Sequence, residues 1–271
     1  MPDERVDGDD QPWIIIPARF ASSRFPGKPL SRLKGANGVE RSLIEWSWRA
    51  ALRVPDVGKV VVATDDVRIA GEVERFGGVA VMTPETCANG TERCAAALEA
   101  LTDVPPIAVN FQGDAPLTPP EIVSAVIDRM RREPALAMAT PAIACRDETY
   151  RHLLADRAAG RVGGTTVVFD RNHRALYFSK NIIPFVPDDC EAAPVHLHLG
   201  VYAYRPDALA AYVASPPSPL EAVEGLEQLR FLDMGISVGA VLCDPPDGPM
   251  IELNNPTDAP LIEAELQRRK L

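Results

Sequence analysis

Between residues 18 and 30 the chain reads ARFASSRFPGKPL, a loop holding Arg19, Arg24 and Lys28, with Gly27 among them and no acid. Cationic side chains converging where a glycine lets backbone approach closely are the chemistry a polyphosphate demands. The loop lacks GxxxxGK[ST], so it is not a Walker loop, and its charge pattern alone is equally that of a solvated loop. Asp114 closes the run IAVNFQGD, where a carboxylate can hold a hard cation against phosphate oxygens; an aspartate there is more commonly a turn former. His196 and His198 share a strand face by alternation, but without a nearby carboxylate they do not make a metal pair. Glu224, Glu227 and Gln228, at i, i+3 and i+4, are expected on one helical face, ordinarily a solvated one.

The elements that position these residues follow from periodicity. Apolar runs at 13–17, 59–64, 79–82 and 107–112 predict strands buried on both faces. Helices are expected near 42–53, 66–76 and 91–102. A further helix follows Pro119 and Pro120, with Ile122, Val123, Val126, Ile127 and Met130 on its inner face. Alternating strands and helices give right-handed βαβ units on a mostly parallel sheet, the doubly wound α/β class. Ligands of such sheets bind outside the carboxyl ends of the strands, which is where the loop after residue 17 lies. The second half reads as β-rich: a hairpin over 165–180, a strand over 196–204 and another over 238–242. Helices are expected at 206–214, 220–233 and 256–269, with Asn255 as N-cap of the last.

The composition excludes several functions. With 46% hydrophobic and 24% charged residues, this is an ordinary soluble globular chain. Its net charge of −10 argues against binding to nucleic acid or an anionic membrane, so any anion site is local. The five cysteines include no CxxC pair, which supports neither a disulfide framework nor a zinc site. Residues 1–12 read as a disordered acidic tail, neither signal nor transit peptide, and no run reaches the roughly 18 apolar residues of a membrane span. A cytoplasmic location is expected.

The ordered motifs IIPARFASSRFPGKPL, VVVATDD, NGTERCA, VNFQGDAP, ALYFSKNIIP, HLGVYAYRP and PSPLEAVEGLEQLRFL resemble those of the CMP-Kdo synthetases, the 3-deoxy-manno-octulosonate cytidylyltransferases. The resemblance runs from about residue 13 to 265. It implies a Rossmann-like sheet and a soluble homodimer that transfers CMP from CTP to a sugar acid, with magnesium, releasing pyrophosphate. It implies one domain over 13–271, its nucleotide-binding part about 13–145 and its acceptor and dimer part about 146–271. By the same resemblance, Arg19 and Lys28 grip the CTP phosphates within a cradle that includes Pro17, Ala18 and Arg24. Thr91, Glu92, Arg93 and Gln112 help hold the nucleotide, and Asp114 ligates magnesium; Arg19, Lys28 and Asp114 are the implied catalytic set. Lys180, His198, Tyr202, Glu224, Glu227 and Gln228 fall at the acceptor pocket. CTP brings about four negative charges, and the basic loop is their counter-charge.

Four positions depart from that family's pattern. QGDEP reads QGDAP, with Ala115 for an acid; the arginine of YFSR is Lys180; a lysine has become Thr166; and a late metal-binding aspartate aligns with Asn254. Ionising a sugar hydroxyl of pKa ~15 at pH 7 costs about 11 kcal/mol, and a neutral amide at the second metal position weakens the help a metal gives. A phosphonate, with a second pKa of ~6, needs no such help. The expected acceptor is therefore phosphonoformate, in a phosphinothricin-type antibiotic pathway, with Kdo or a related ulosonic acid as the alternative. A non-catalytic nucleotide-binding relative is a third reading, disfavoured by the intact Arg19, Lys28 and Asp114.

Overall fold

The computed structural model describes residues 11–21, 25–187 and 194–271. The first ten residues of the acidic tail, Arg24 and Cys190 lie outside them.

The predicted parallel strands form as β1 (Trp13–Ala18), β4 (Lys59–Thr64), β5 (Val79–Met82) and β6 (Ala108–Phe111). They stand in the order β5-β4-β1-β6, all parallel. Ile14, Ile15 and Ile16 of β1 are fully buried, as a strand covered on both faces requires, each stabilising by roughly 1.5–3 kcal/mol. Helices α1 (Leu43–Ala51), α2 (Val67–Arg75), α3 (Gly90–Glu99) and α4 (Pro120–Arg132) make the crossovers. The five apolar residues expected on the inner face of α4 are all buried. Ahead of α1, a two-stranded sheet of β2 (Arg32–Lys34) and β3 (Glu40–Ser42) was not expected from the pattern.

Two further elements add to the reading. β7 (Met138–Ala144) is a central strand despite Pro141, and α5 (Asp147–Ala158) buries only Leu153, so it has no apolar stripe to announce it. The hairpin forms as β8 (Thr165–Phe169) and β9 (Ala175–Ser179). The single strand expected over 196–204 is instead two, β10 (His196–His198) and β11 (Val201–Tyr204), parted at Leu199 and Gly200. Both pair with β7; β10 also pairs with β8, and β11 with β6. β12 (Val238–Cys243) lies parallel to β7. Ala240 N donates to His173 O at 2.9 Å, so the hairpin curls back to β12.

The predicted helix 206–214 is α6 (Pro206–Ala214). The helix expected over 220–233 breaks at Gly225, whose φ of 61° is left-handed, into α7 (Pro219–Glu224) and α8 (Gln228–Asp233). Asn255 caps the last segment through a reciprocal box with Asp258, and after one 3-10 turn α9 (Ala259–Arg268) runs on. No helix among the described residues is long and apolar enough to cross a membrane.

Candidate active site

The loop after β1 doubles back on itself. Gly27 N donates to Phe20 O at 2.9 Å, and at Gly27 (φ 72°) an added Cβ would stand 3.1 Å from the Phe20 ring. The turn needs glycine there, both for its left-handed backbone and for this close approach. The turn aims Lys28 inward, where its Nζ donates to Asp114 Oδ2 at 2.6 Å. Arg19 is exposed at the mouth, with no hydrogen bond or ion pair to another described residue. Pro17 and Ala18 end β1 beneath it, and Arg24 lies outside the described residues.

Asp114 follows β6 at the carboxyl edge of the sheet. Its carbonyl accepts from Leu253 N at 3.0 Å, which brings Asn254 beside it. Asn254 Nδ2 donates to Glu252 Oε2 at 3.3 Å, leaving Asn254 Oδ1 as an oxygen donor toward a cation. The acid missing at position 254 therefore has a neighbour two residues earlier, a signal available in the sequence ELNN. A carboxylate thus stands beside the amide at position 254. Among the described residues no cluster of three or more His, Cys, Asp or Glu forms a metal cage. Oxygen donors in small number, completed by phosphate and water, are the donor set magnesium takes.

Helix α3 opens the opposite wall. Its N-cap Asn89 accepts from Glu92 N at 2.9 Å, and Ala88 N donates to Glu92 Oε2 at 2.8 Å. Thr91, fully buried, shares a hydrogen with Tyr204 Oη at 2.8 Å and donates its amide to Glu227 Oε2 at 3.2 Å. Arg93 is likewise buried, its two Nη atoms held at 2.7 Å by Thr83 Oγ1 and Asp65 Oδ2. Glu92 and Arg93 thus spend these groups fixing the helix start and the end of β4. Gln112 is half-buried, its Nε2 donating to Asn110 Oδ1 at 3.4 Å.

On the acceptor side, Glu224, Glu227 and Gln228 do not form one helical face, because Gly225 turns the chain between them. Glu224 swings to the hairpin, accepting from Ser179 Oγ at 2.7 Å and from Lys180 N at 3.0 Å. Desolvation works against its charge, yet these hydrogen bonds hold its carboxyl below the usual range. Glu227 faces α3, and desolvation raises its carboxyl pKa. Gln228 Oε1 accepts from Tyr202 Oη at 3.4 Å. Desolvation first, then the charges of Glu227 and Glu252, push the Tyr202 phenol well up. His198 Nε2 lies 2.9 Å from Thr140 Oγ1, its ring between those of Phe178 and Tyr202, and desolvation drops its pKa to about 3. At neutral pH that imidazole is uncharged. His196 instead contacts Pro194 O. Lys180 is exposed beside Gly225, and Thr166 Oγ1 donates to Asn181 O at 2.6 Å, fixing the backbone after β9.

A doubly wound sheet with a basic loop and a carboxylate at its carboxyl edge has the layout of a nucleotide-binding fold. The family model described as cytidylyltransferase matches residues 13–238. A 3-deoxy-manno-octulosonate cytidylyltransferase of Maricaulis maris (strain MCS10) is 47% identical over 249 residues, covering 92% of this chain and 94% of that protein. That of Chlamydia trachomatis serovar L2 is 38% identical over 252 residues, with 93% and 92% covered. A solved CMP:2-keto-3-deoxy-manno-octonic acid synthetase in complex with CTP superposes with a TM-score of 0.83 at 34% identity, covering 97% of this chain and 100% of that one. The chain belongs to the CMP-Kdo synthetase family of CTP-dependent cytidylyltransferases. The 4-diphosphocytidyl-2C-methyl-D-erythritol synthase of Anaerococcus prevotii, at 16% identity and a TM-score of 0.59, covering 98% of this chain and 99% of that one, shares the fold alone.

Proposed function

We propose that this enzyme transfers CMP from CTP to 3-deoxy-manno-octulosonate, releasing pyrophosphate. The observation that carries the reading is Lys28 held on Asp114, where cradle and cation carboxylate meet at the edge of the sheet. The relatives named above supply the acceptor, and the chemistry of the pocket agrees with them. Of the six acceptor-side residues named from the motifs, Lys180 alone is a cation, while His198 is neutral and Glu224 and Glu227 are acids. Amides, phenols and carboxylates suit a hydroxylated body. A compact phosphonate of two or more charges would meet repulsion there, so the phosphonoformate expectation finds no support.

An acceptor hydroxyl oxygen attacks the α-phosphorus in line; its bond to phosphorus forms as the bond to the pyrophosphate oxygen breaks, and the hydroxyl's proton is released to solvent. Arg19 and Lys28 balance the charge of the leaving pyrophosphate, and positioning does most of the remaining work. Magnesium, held by Asp114 with the Asn254 carbonyl and Glu252 at hand, would supply neutralisation of phosphate charge when bound. A soluble, cytoplasmic homodimer belongs to this reading by resemblance, and light scattering tests the assembly. The activity is tested by pyrophosphate release from CTP with 3-deoxy-manno-octulosonate and with phosphonoformate side by side. Turnover with the sugar acid is expected; turnover with phosphonoformate alone overturns the reading.

A further inference from the structure

We propose that Asn110, to which the motifs assign no role, donates a hydrogen bond to a hydroxyl oxygen of the acceptor. The inference rests on the sugar-acid reading above. Asn110 is fully buried on β6, and its Nδ2 has no partner among the described residues. Buried amides are nearly always paired, so an orphaned donor beside a site points to an atom that arrives with the ligand. Its orientation is set by Gln112, whose Nε2 donates to Asn110 Oδ1 at 3.4 Å. With the oxygen so used, the nitrogen is turned toward the start of α3. There the chain has Gly90: a Cβ added to it would stand 3.2 Å from Asn110 Nδ2, 3.4 Å from Pro17 Cγ and 3.7 Å from Gln112 Nε2. A side chain at Gly90 would crowd the niche that Asn110 faces.

A second orphan lies close by. Tyr202 is the cross-strand partner of Asn110, so the two side chains share a sheet face. Tyr202 Oη donates to Gln228 Oε1, and Gln228 Nε2 is buried without a partner among the described residues. Two unspent donors thus flank Tyr202, Asn110 standing on β6 between β11 and the strand that carries the basic loop. The ligand atom is a hydroxyl rather than a charged oxygen, because Glu227 already occupies Thr91 N at the helix start and a second anion there would meet its charge.

The test compares wild type with Asn110→Ala and Asn110→Asp, the latter keeping an acceptor for Gln112 while removing the donor. Steady-state kinetics with 3-deoxy-manno-octulosonate, calorimetric CTP binding and thermal melting are read on each. The acceptor KM should rise about 10-fold or more in both variants, as loss of a buried hydrogen bond to substrate implies. In Asn110→Asp, which keeps the acceptor that holds Gln112, CTP affinity should stay within about twofold. Among singly deoxygenated acceptors, one should bind wild type as weakly as the variants and lose nothing more on substitution. An unchanged acceptor KM overturns the proposal. So does a parallel loss of CTP affinity in Asn110→Asp, which would give the oxygen to the nucleotide, or equal losses in both substrates with a lower melting point, which would make Asn110 structural. Failure of wild type to turn over the sugar acid would instead sink the proposed function.

Discussion

Lys28 Nζ and Asp114 Oδ2 stand 2.6 Å apart although 86 residues separate them in the chain. Each is the other's counter-charge in a partly open place, with side chains 17% and 23% exposed. On the proposed function, a triphosphate and a divalent cation would offer both groups a stronger partner, so ligand binding would exchange one ion pair for two. Lys28→Ala and Arg19→Ala should each lower kcat/KM for pyrophosphate release by roughly 10²–10³-fold, the scale for removing a charge that stabilises a transition state. Their unfolding free energies in urea should change by no more than about 1 kcal/mol, because partly exposed pairs add little. Wild-type rates in both variants would refute the cradle.

Asp114→Asn tests the other half of the pair. The amide keeps the shape and one oxygen donor but loses the charge, so cation affinity falls. The magnesium concentration for half-maximal activity should rise, with saturating magnesium only partly restoring the rate. Manganese binding followed by electron paramagnetic resonance in the presence of CTP gives a readout independent of turnover. An unshifted titration would remove Asp114 from the metal site.

Burial of His198 predicts that stability falls with pH. Its ring, driven to a pKa of about 3 against 6.5 when free, stays neutral in the native protein while the unfolded chain takes up a proton. Below pH 6.5 the unfolded state binds more protons, so stability is lost as pH falls toward 3, by at most about 1.36 kcal/mol per pH unit. Glu227, with its raised pKa, acts in the opposite sense: the native state holds the extra proton, so its cost appears as pH rises. Subtracting the urea stability of His198→Asn from that of wild type between pH 4.5 and 7 isolates the histidine. A difference that does not vary with pH would show the ring already protonated or exposed.

The parallel half was legible because β1, β4 and β6 are apolar runs between amphipathic helices, and burial on both faces leaves that mark; β5 forms where expected but is the edge strand, with Val79 and Met82 exposed and only Val81 buried. β7 was hidden by Pro141, and α5 by a surface with one buried residue. Glu224, Glu227 and Gln228 have helical spacing, but spacing does not reveal that Gly225 adopts a left-handed φ and sends Glu224 to the hairpin. Charge type and position at a strand end singled out Arg19, Lys28 and Asp114, of which the structure joins Lys28 to Asp114 and leaves Arg19 exposed. Asn110 could not, since an asparagine inside an apolar run is marked only by the partners it lacks.

The break at Gly225 has its own lock, and it sets where the acceptor-side residues stand. Arg230 is 3% exposed; its Nε and Nη2 both reach the Glu221 carboxylate at 2.7 Å, and its Nη1 donates to the carbonyls of Ser215 and Tyr212 at 3.1 and 3.3 Å. The guanidinium lies 3.8 Å from the Tyr212 ring centroid, so one side chain clamps α7, α8 and the end of α6 together. Arg230→Met would leave the Glu221 charge buried with only Tyr212 Oη and the Ser218 amide as donors, which should cost roughly 3–5 kcal/mol in urea unfolding. Because Glu227 and Gln228 ride on this clamp, the acceptor KM should rise in the folded fraction more than the CTP KM does. Removing the orphaned acid as well, in Arg230→Met with Glu221→Leu, should regain part of the stability, since two apolar groups need no counter-charge. If the double variant is no more stable than Arg230→Met, the loss comes from the broken carbonyl contacts and not from a stranded carboxylate.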